Sequence, residues 1–273
     1  MKFPSRLISY NRTPEQIISE YEERERKRAL EAEDAGAEKP RHDVGEPEPE
    51  APAIVPADPA DLKSWILLPE SSQYSYPDTL VLKAVQHQGR NWTQAHEALA
   101  ASGNYMLRLR QYVDFLAGLQ ANKLYDGAGK HLSKAESLHI FNQITEVRDP
   151  WRAEWLDADF KLVNKVLRMN YGHRIKAGRL VPLHSEPLDA CLMEAGTPGI
   201  SLEDWLSRAT RQGMPPEDVQ DGGLHYWQPP PDGNSVAWFR ADACGAVLCC
   251  SWGPRVSDAA LGVRPARARQ TAP

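Results

Sequence analysis

The sequence predicts an α+β protein carrying a charged N-terminal arm, and three observations support that. Helical periodicity dominates residues 78–147. Short alternating segments bounded by Gly and Pro dominate from Trp151 onward. The first 61 residues differ from the rest in charge, proline and aromatic content.

The 273 residues have a net charge of −5. Residues 1–61 hold 15 acidic and 9 basic side chains, a balance of −6, with eight of the 22 Pro and no Trp. The remaining 212 residues are almost neutral, at +1, and hold all eight Trp. A stretch of that length suits one sizeable core or two small ones. The boundary is therefore placed at 61/62, with an arm at 1–61 and a folded body at 62–273.

Within the arm, residues 14–33 read as a helix. Pro14 suits a first turn, and Ile17, Ile18, Tyr21 and Leu30 give only a thin apolar stripe among dense charges. Such a helix is either solvated or reserved for a partner of the arm. Residues 34–60, Pro-, Ala- and Glu-rich, read as an extended, semi-stiff linker that buries too little surface to offset ordering.

The body opens with a short strand, Trp65–Leu68. Helices are expected at 78–87 (Leu80, Val81, Ala84, Val85), at 92–101 with Gly103 as a stop, and at 106–120. Another is expected from Ser133 to about Val147, with Ser133 and Glu136 as a capping box. Further on, 173–176 and 179–183 flank the turn Ala177-Gly178. A short helical stretch at 187–194 and a Ser201-capped helix at 201–212, ended by Gly213, come next. Strands follow at Leu224–Trp227, Val236–Ala243, Ala246–Ser251 and Leu261–Arg264.

Several function classes are excluded. No apolar run approaches the ~20 residues of a transmembrane segment. The first residues show no signal peptide, so the default expectation is cytoplasmic, or virion- or surface-displayed by another route. The near-neutral body offers no electrostatic footprint for nucleic acid. Phosphate-loop, dinucleotide, zinc-protease, C-x-x-C and nucleophile-elbow motifs are absent, and the eight His do not fall at ligand spacing near the Cys group. No metal or cofactor is expected. Asp126-Gly127-Ala128-Gly129 lacks the alternating carboxylates of a calcium loop and reads as a turn.

Arg148–Ala158 concentrates two Trp, two Arg and three carboxylates. Asp149 and Glu154 suit acid/base work in principle, but an aromatic-capped ion-pair network is the stronger reading. Cys244, Cys249 and Cys250 read as small semi-apolar side chains of a strand pair rather than a redox or soft-metal site.

The most informative stretch is Val236–Arg264. With period 2, Phe239, Ala241 and Ala243 share one face, opposite Arg240, Asp242 and Cys244. Beyond Gly245, Ala246, Leu248 and Cys250 share a face, opposite Val247, Cys249 and Ser251. The first set is small and apolar, as a core face should be. The second mixes charge, thiol, hydroxyl and aliphatic groups without pattern, and Trp252, Gly253, Arg255, Val256 and Asp258 continue the mixture.

Together with SSQYSYPDTLVLKAVQHQGRNWTQAHEAL, MLRLRQYVDFL, YDGAGKHLSKAE, RDPWRAEWLDA, LDACLM, TPGISLEDWL, LHYW and the terminal ALGVRPAR, this stretch resembles the variable proteins of diversity-generating retroelements, known from bacteria and phages. The resemblance covers most of the body and none of residues 1–60. It implies a C-type lectin-like fold of the subtype shared with formylglycine-generating enzymes. It also implies a non-enzymatic function, in which a rewritten C-terminal region displays side chains to varied targets such as a protein or surface ligand. On that pattern Phe239, Ala241, Ala246, Leu248, Cys250, Pro254, Ser257 and Leu261–Arg264 are skeleton. The display positions are Trp238, Arg240, Asp242, Cys244, Val247, Cys249, Ser251, Trp252, Gly253, Arg255, Val256 and Asp258. The enzyme branch supplies the alternative, a copper-dependent thiol oxidase. Its two copper-binding Cys lie five residues apart, a spacing that Cys244 and Cys249 reproduce without the flanking Arg-Gly-Gly-Ser segment.

Overall fold

The computed structural model describes residues 61–194 and 196–269. The expected arm helix at 14–33 and linker at 34–60 lie outside these residues. The helices are α1 (Trp92–Ala101), α2 (Leu109–Gln120), α3 (Lys134–Thr145) and α4 (Leu202–Arg208). The first nine strands are β1 (Trp65–Leu68), β2 (Thr79–Leu82), β3 (Tyr105–Met106), β4 (Tyr125–Asp126), β5 (Arg152–Val163), β6 (Val166–Tyr171), β7 (Arg174–Lys176), β8 (Arg179–Val181) and β9 (His184–Pro187). They are followed by β10 (Gly196–Ile200), β11 (Leu224–Trp227), β12 (Gly233–Asp242), β13 (Gly245–Trp252), β14 (Leu261–Gly262) and β15 (Pro265–Ala268).

The chain is α+β, but helices do not simply precede strands. A five-stranded sheet, β3-β15-β2-β1-β4, joins the first strands to the last one. The large sheet runs β10-β11-β13-β12-β5-β6-β9, with β14 pairing parallel to β5, and β7-β8 form a separate hairpin. No described helix is long and apolar enough to cross a membrane.

Each helix has a local cause. Asn91 caps α1: its side chain accepts from the Gln94 amide while Gln94 answers to the Asn91 amide. Trp92, Ala95, His96 and Leu99 form its buried stripe. The helix α2 buries Leu109, Tyr112, Val113, Phe115, Leu116 and Leu119 and begins three residues later than expected, because Met106 belongs to β3. Ser133 caps α3, but Glu136 pairs with Lys83 at 2.7 Å instead of closing a capping box. Ser201 caps α4, which ends at Arg208 rather than Gln212.

Two expected helices are not formed. Residues 79–82 are strand β2: Val81 enters the main core while Leu80 and Leu82 pack with Trp65 and Leu67 on the other side. A strand buried on both faces has no polar face, so its apolar run imitates helical spacing. At 187–194 the backbone serves other segments. The Leu188 amide donates to the Leu167 carbonyl, the Asp189 amide to the Gln212 side chain and the Leu192 amide to the Pro215 carbonyl.

The long strand β5, unforeseen as such, is buried over eight consecutive residues from Ala153 to Phe160. It meets β6, also unforeseen, through Asn164-Lys165, both at positive φ as a two-residue hairpin turn requires. Ala177-Gly178 does the same between β7 and β8, as expected.

The main core lies between the large sheet and helices α2, α3 and α4. Leu156, Ala158 and Phe160 of β5, Ala237, Phe239 of β12, and Ala246, Leu248 and Cys250 of β13 join Tyr112, Phe115, Ile140 and Trp205 there. The terminal Leu261–Arg264 segment is buried throughout. Arg264 donates to Glu154 through Nη2 (2.5 Å) and Nε (3.0 Å), and through Nη1 to the carbonyls of Leu82 (3.0 Å) and Lys83. Gly262 is required by close approach: a Cβ there meets Val85 Cγ1 at 2.6 Å and the Gln86 carbonyl at 2.7 Å.

Candidate functional site

The register of the large sheet fixes which side chains share a face. Trp155, Trp238, Cys249 and Trp227 stand opposite one another across β5, β12, β13 and β11, and so do Ala153, Arg240, Val247 and His225. Phe239 and Leu248 stand opposite Glu154 and Tyr226 on the core face. Directly opposed residues point to the same side of a sheet. The two faces of β12 and β13 thus divide as the alternation predicts, with one exception: Ala243, expected inward, sits exposed in the hairpin turn.

A bulge adds to the outer face. Trp238 opposes Cys249 and Val236 opposes Trp252, so two steps on β12 match three on β13. The extra residue turns Trp252 to the side of Trp238, where the rings lie 4.3 Å apart. Trp151 and Trp155 complete the cluster at 5.9 and 6.4 Å from Trp238. Arg240 lies 5.5 Å over the Trp238 ring and pairs with Asp242 at 3.1 Å.

The twelve expected display residues do not share one environment. Cys244, Arg255 and Asp258 are exposed, and Arg240, Asp242, Ser251, Trp252 and Gly253 are half-buried. Trp238, Val247, Cys249 and Val256 are buried, which corrects their expected exposure. Val247 and Cys249 lie on a strand with neighbours on both sides, between His225 and Arg240 and between the indoles of Trp227 and Trp238. Trp238 is covered by its aromatic neighbours. Val256 sits in a loop tied to the start of α1 and the segment before it: Gly89 donates to the Asp258 carbonyl and Trp92 to that of Pro254, both at 3.1 Å. Of the expected skeleton, Phe239, Ala241, Ala246, Leu248 and Cys250 are buried, whereas Ser257 is exposed and Pro254 half-buried.

The thiols bear on the copper reading. Cys244 precedes β13 in an exposed turn, while Cys249 is four residues beyond Gly245 along the strand, about 13 Å at extended rise. Burial pushes the Cys249 thiol up, against hydrogen bonding with Ser251 Oγ at 3.4 Å. Burial likewise raises Cys250, and it pushes Cys191 up to about 12. The Arg148–Ala158 segment supplies structure: Glu154 binds Arg264, Trp151 and Trp155 flank Trp238, and Asp149 is exposed. Asp126 forms a turn, accepting the amides of Ala128 and Lys130 at 3.0 and 2.8 Å.

One cluster has no counterpart in the sequence motifs. His96 of α1, Asp157 of β5 and His173, just before β7, place their ligand-type atoms within 4.8 Å of one another, at 4%, 2% and 8% exposure. Asp157 Oδ2 accepts the His173 amide at 2.9 Å, and Oδ1 accepts from His173 Nδ1, which therefore carries the proton. His96 Nε2 stands 3.8 Å from the same Oδ1 and has no hydrogen-bond partner among the described residues. Burial, reinforced by the neighbouring His173, lowers the His96 pKa to about 4 against the pull of Asp157. Burial raises the Asp157 carboxyl, but the His173 hydrogen bonds and the two imidazoles outweigh it and hold it below the ordinary range. Trp92 walls the cluster, its ring 4.4 Å from His96 and 4.9 Å from His173, with its indole N–H on the Leu156 carbonyl.

A recess of about 250 Å³ opens elsewhere, among Tyr74, Tyr76, Arg108, Tyr171, His184 and Arg211. None of the twelve display residues lines it. Its charges are largely matched: Arg211 binds Glu186, Arg110 binds Asp114, and the Tyr76 hydroxyl donates to Asp114 at 2.6 Å.

Comparison with family models, with curated proteins and with solved structures finds no match to this chain.

Proposed function

We propose that this chain is a non-enzymatic recognition protein with a C-type lectin-like body, of the kind diversified by a retroelement. It contacts a protein or surface ligand through the side of β12 and β13 turned away from the core. The single observation that supports this reading is the division of that hairpin. Phe239, Ala241, Ala246, Leu248 and Cys250 are committed to the core, while Arg240, Asp242, Ser251 and Trp252 on the other side carry unrelated chemistries. A rigid sheet can bear varied contacts where the fold does not depend on them.

Within the site, Trp252 and Arg255 are the energetic anchors, because Trp and Arg dominate binding hot spots. Trp238, Val247, Cys249 and Val256 form the platform beneath. The thiol-oxidase alternative has less support, because Cys244 is exposed in a turn while Cys249 is buried within β13.

Sequencing the DNA flanking the gene tests the reading. It predicts a near-copy of the codons for Val236–Arg264, differing mainly at adenines, beside a reverse transcriptase gene. A locus with neither contradicts it.

A further inference from the structure

We propose that His96, Asp157 and His173 form a binding site for a divalent transition metal, zinc being the best fit, that ties α1 and the β7-β8 hairpin to β5. Two imidazoles and one carboxylate are a common zinc donor set, with a water or other small ligand completing four-coordination. The hydrogen bonds between His173 and Asp157 account for two members of the cluster but not the third. His96 Nε2 is buried, unpartnered among the described residues, and aimed at the carboxylate. A buried polar atom without a partner is costly, and a cation between Nε2 and Oδ1 removes that cost.

The surroundings suit an ion. The His173 amide holds Asp157 Oδ2 at 2.9 Å, fixing the carboxylate so that Oδ1 faces both imidazoles, as an outer-sphere hydrogen bond does for a metal ligand. Trp92 supplies a dry wall, itself anchored to the Leu156 carbonyl at 2.9 Å. Ligand atoms of a tetrahedral zinc ion stand about 3.3 Å apart. Loading therefore parts the His173 Nδ1 and Asp157 Oδ1 atoms slightly, and the Nδ1 proton is released to solvent as the metal takes its place. The ligands come from a helix, a central strand and the base of a hairpin that pairs with no other described strand. The ion thereby acts as a staple.

The full chain, stripped with chelator, should bind one equivalent of Zn²⁺ by calorimetry, with a rise in Tm. Co²⁺ should give the visible spectrum of a tetrahedral nitrogen- and oxygen-ligated ion without a thiolate charge-transfer band. His96→Gln and His173→Gln should each weaken Zn²⁺ binding at least tenfold while the far-ultraviolet circular dichroism is unchanged. Three results would each overturn the proposal: no tetrahedral Co²⁺ spectrum in the wild-type chain, a thiolate band, or undiminished affinity in the folded variants. The wild-type spectrum decides the matter even if a variant fails to fold.

Discussion

The burial of individual side chains determines which residues are available for chemistry. Of the four cysteines, only Cys244 is exposed, while burial raises the thiols of Cys191, Cys249 and Cys250. The thiolate is the reactive species, so at pH 8 one thiol per native chain should react promptly with a disulfide reagent and the other three only after denaturation. A Cys244→Ser variant should then show no fast phase. Arg264 makes a contrasting case. Its guanidinium is fully enclosed, and its counter-charge is Glu154. Replacing Glu154 with Gln leaves that cation without an anion and should cost about 3–5 kcal/mol in denaturant unfolding. A loss below ~1 kcal/mol would mean the pair is not the clamp that the geometry describes.

At the scale of elements, legibility follows from whether burial is one-sided. The helix α1 coincides with its periodic pattern because one face is wet. In α2 the apolar spacing is equally clear, and only the start is displaced by β3. The strands β2 and β5 escaped because both faces are buried, which erases the period of 2. The β12-β13 hairpin kept its alternation, and its core face was legible at every position except Ala243, which sits in the turn. Parity could not foresee that neighbouring indoles cover Cys249, nor that a bulge turns Trp252 outward. The His96–Asp157–His173 cluster was illegible for a different reason. Its members lie on separate elements, and only the packing of α1 and the hairpin against β5 brings them together.

At the scale of the molecule, the proposed function puts stability and recognition on opposite sides of one hairpin. The core face packs on α2, α3 and α4, while on the outer side the Arg240–Asp242 pair, as a partly solvated ion pair, is worth about 0–1 kcal/mol. The direct test is thermal unfolding of a chain with Arg240→Ser, Asp242→Asn, Ser251→Asn and Arg255→Tyr combined, beside Leu248→Ala alone. The combined variant should shift Tm by no more than about 4 °C, as expected for ~1 kcal/mol in a domain of this size. Leu248→Ala, which empties part of the core, should cost about 2–5 kcal/mol and a correspondingly larger fall. A combined variant that melts as early as Leu248→Ala would contradict the division of labour.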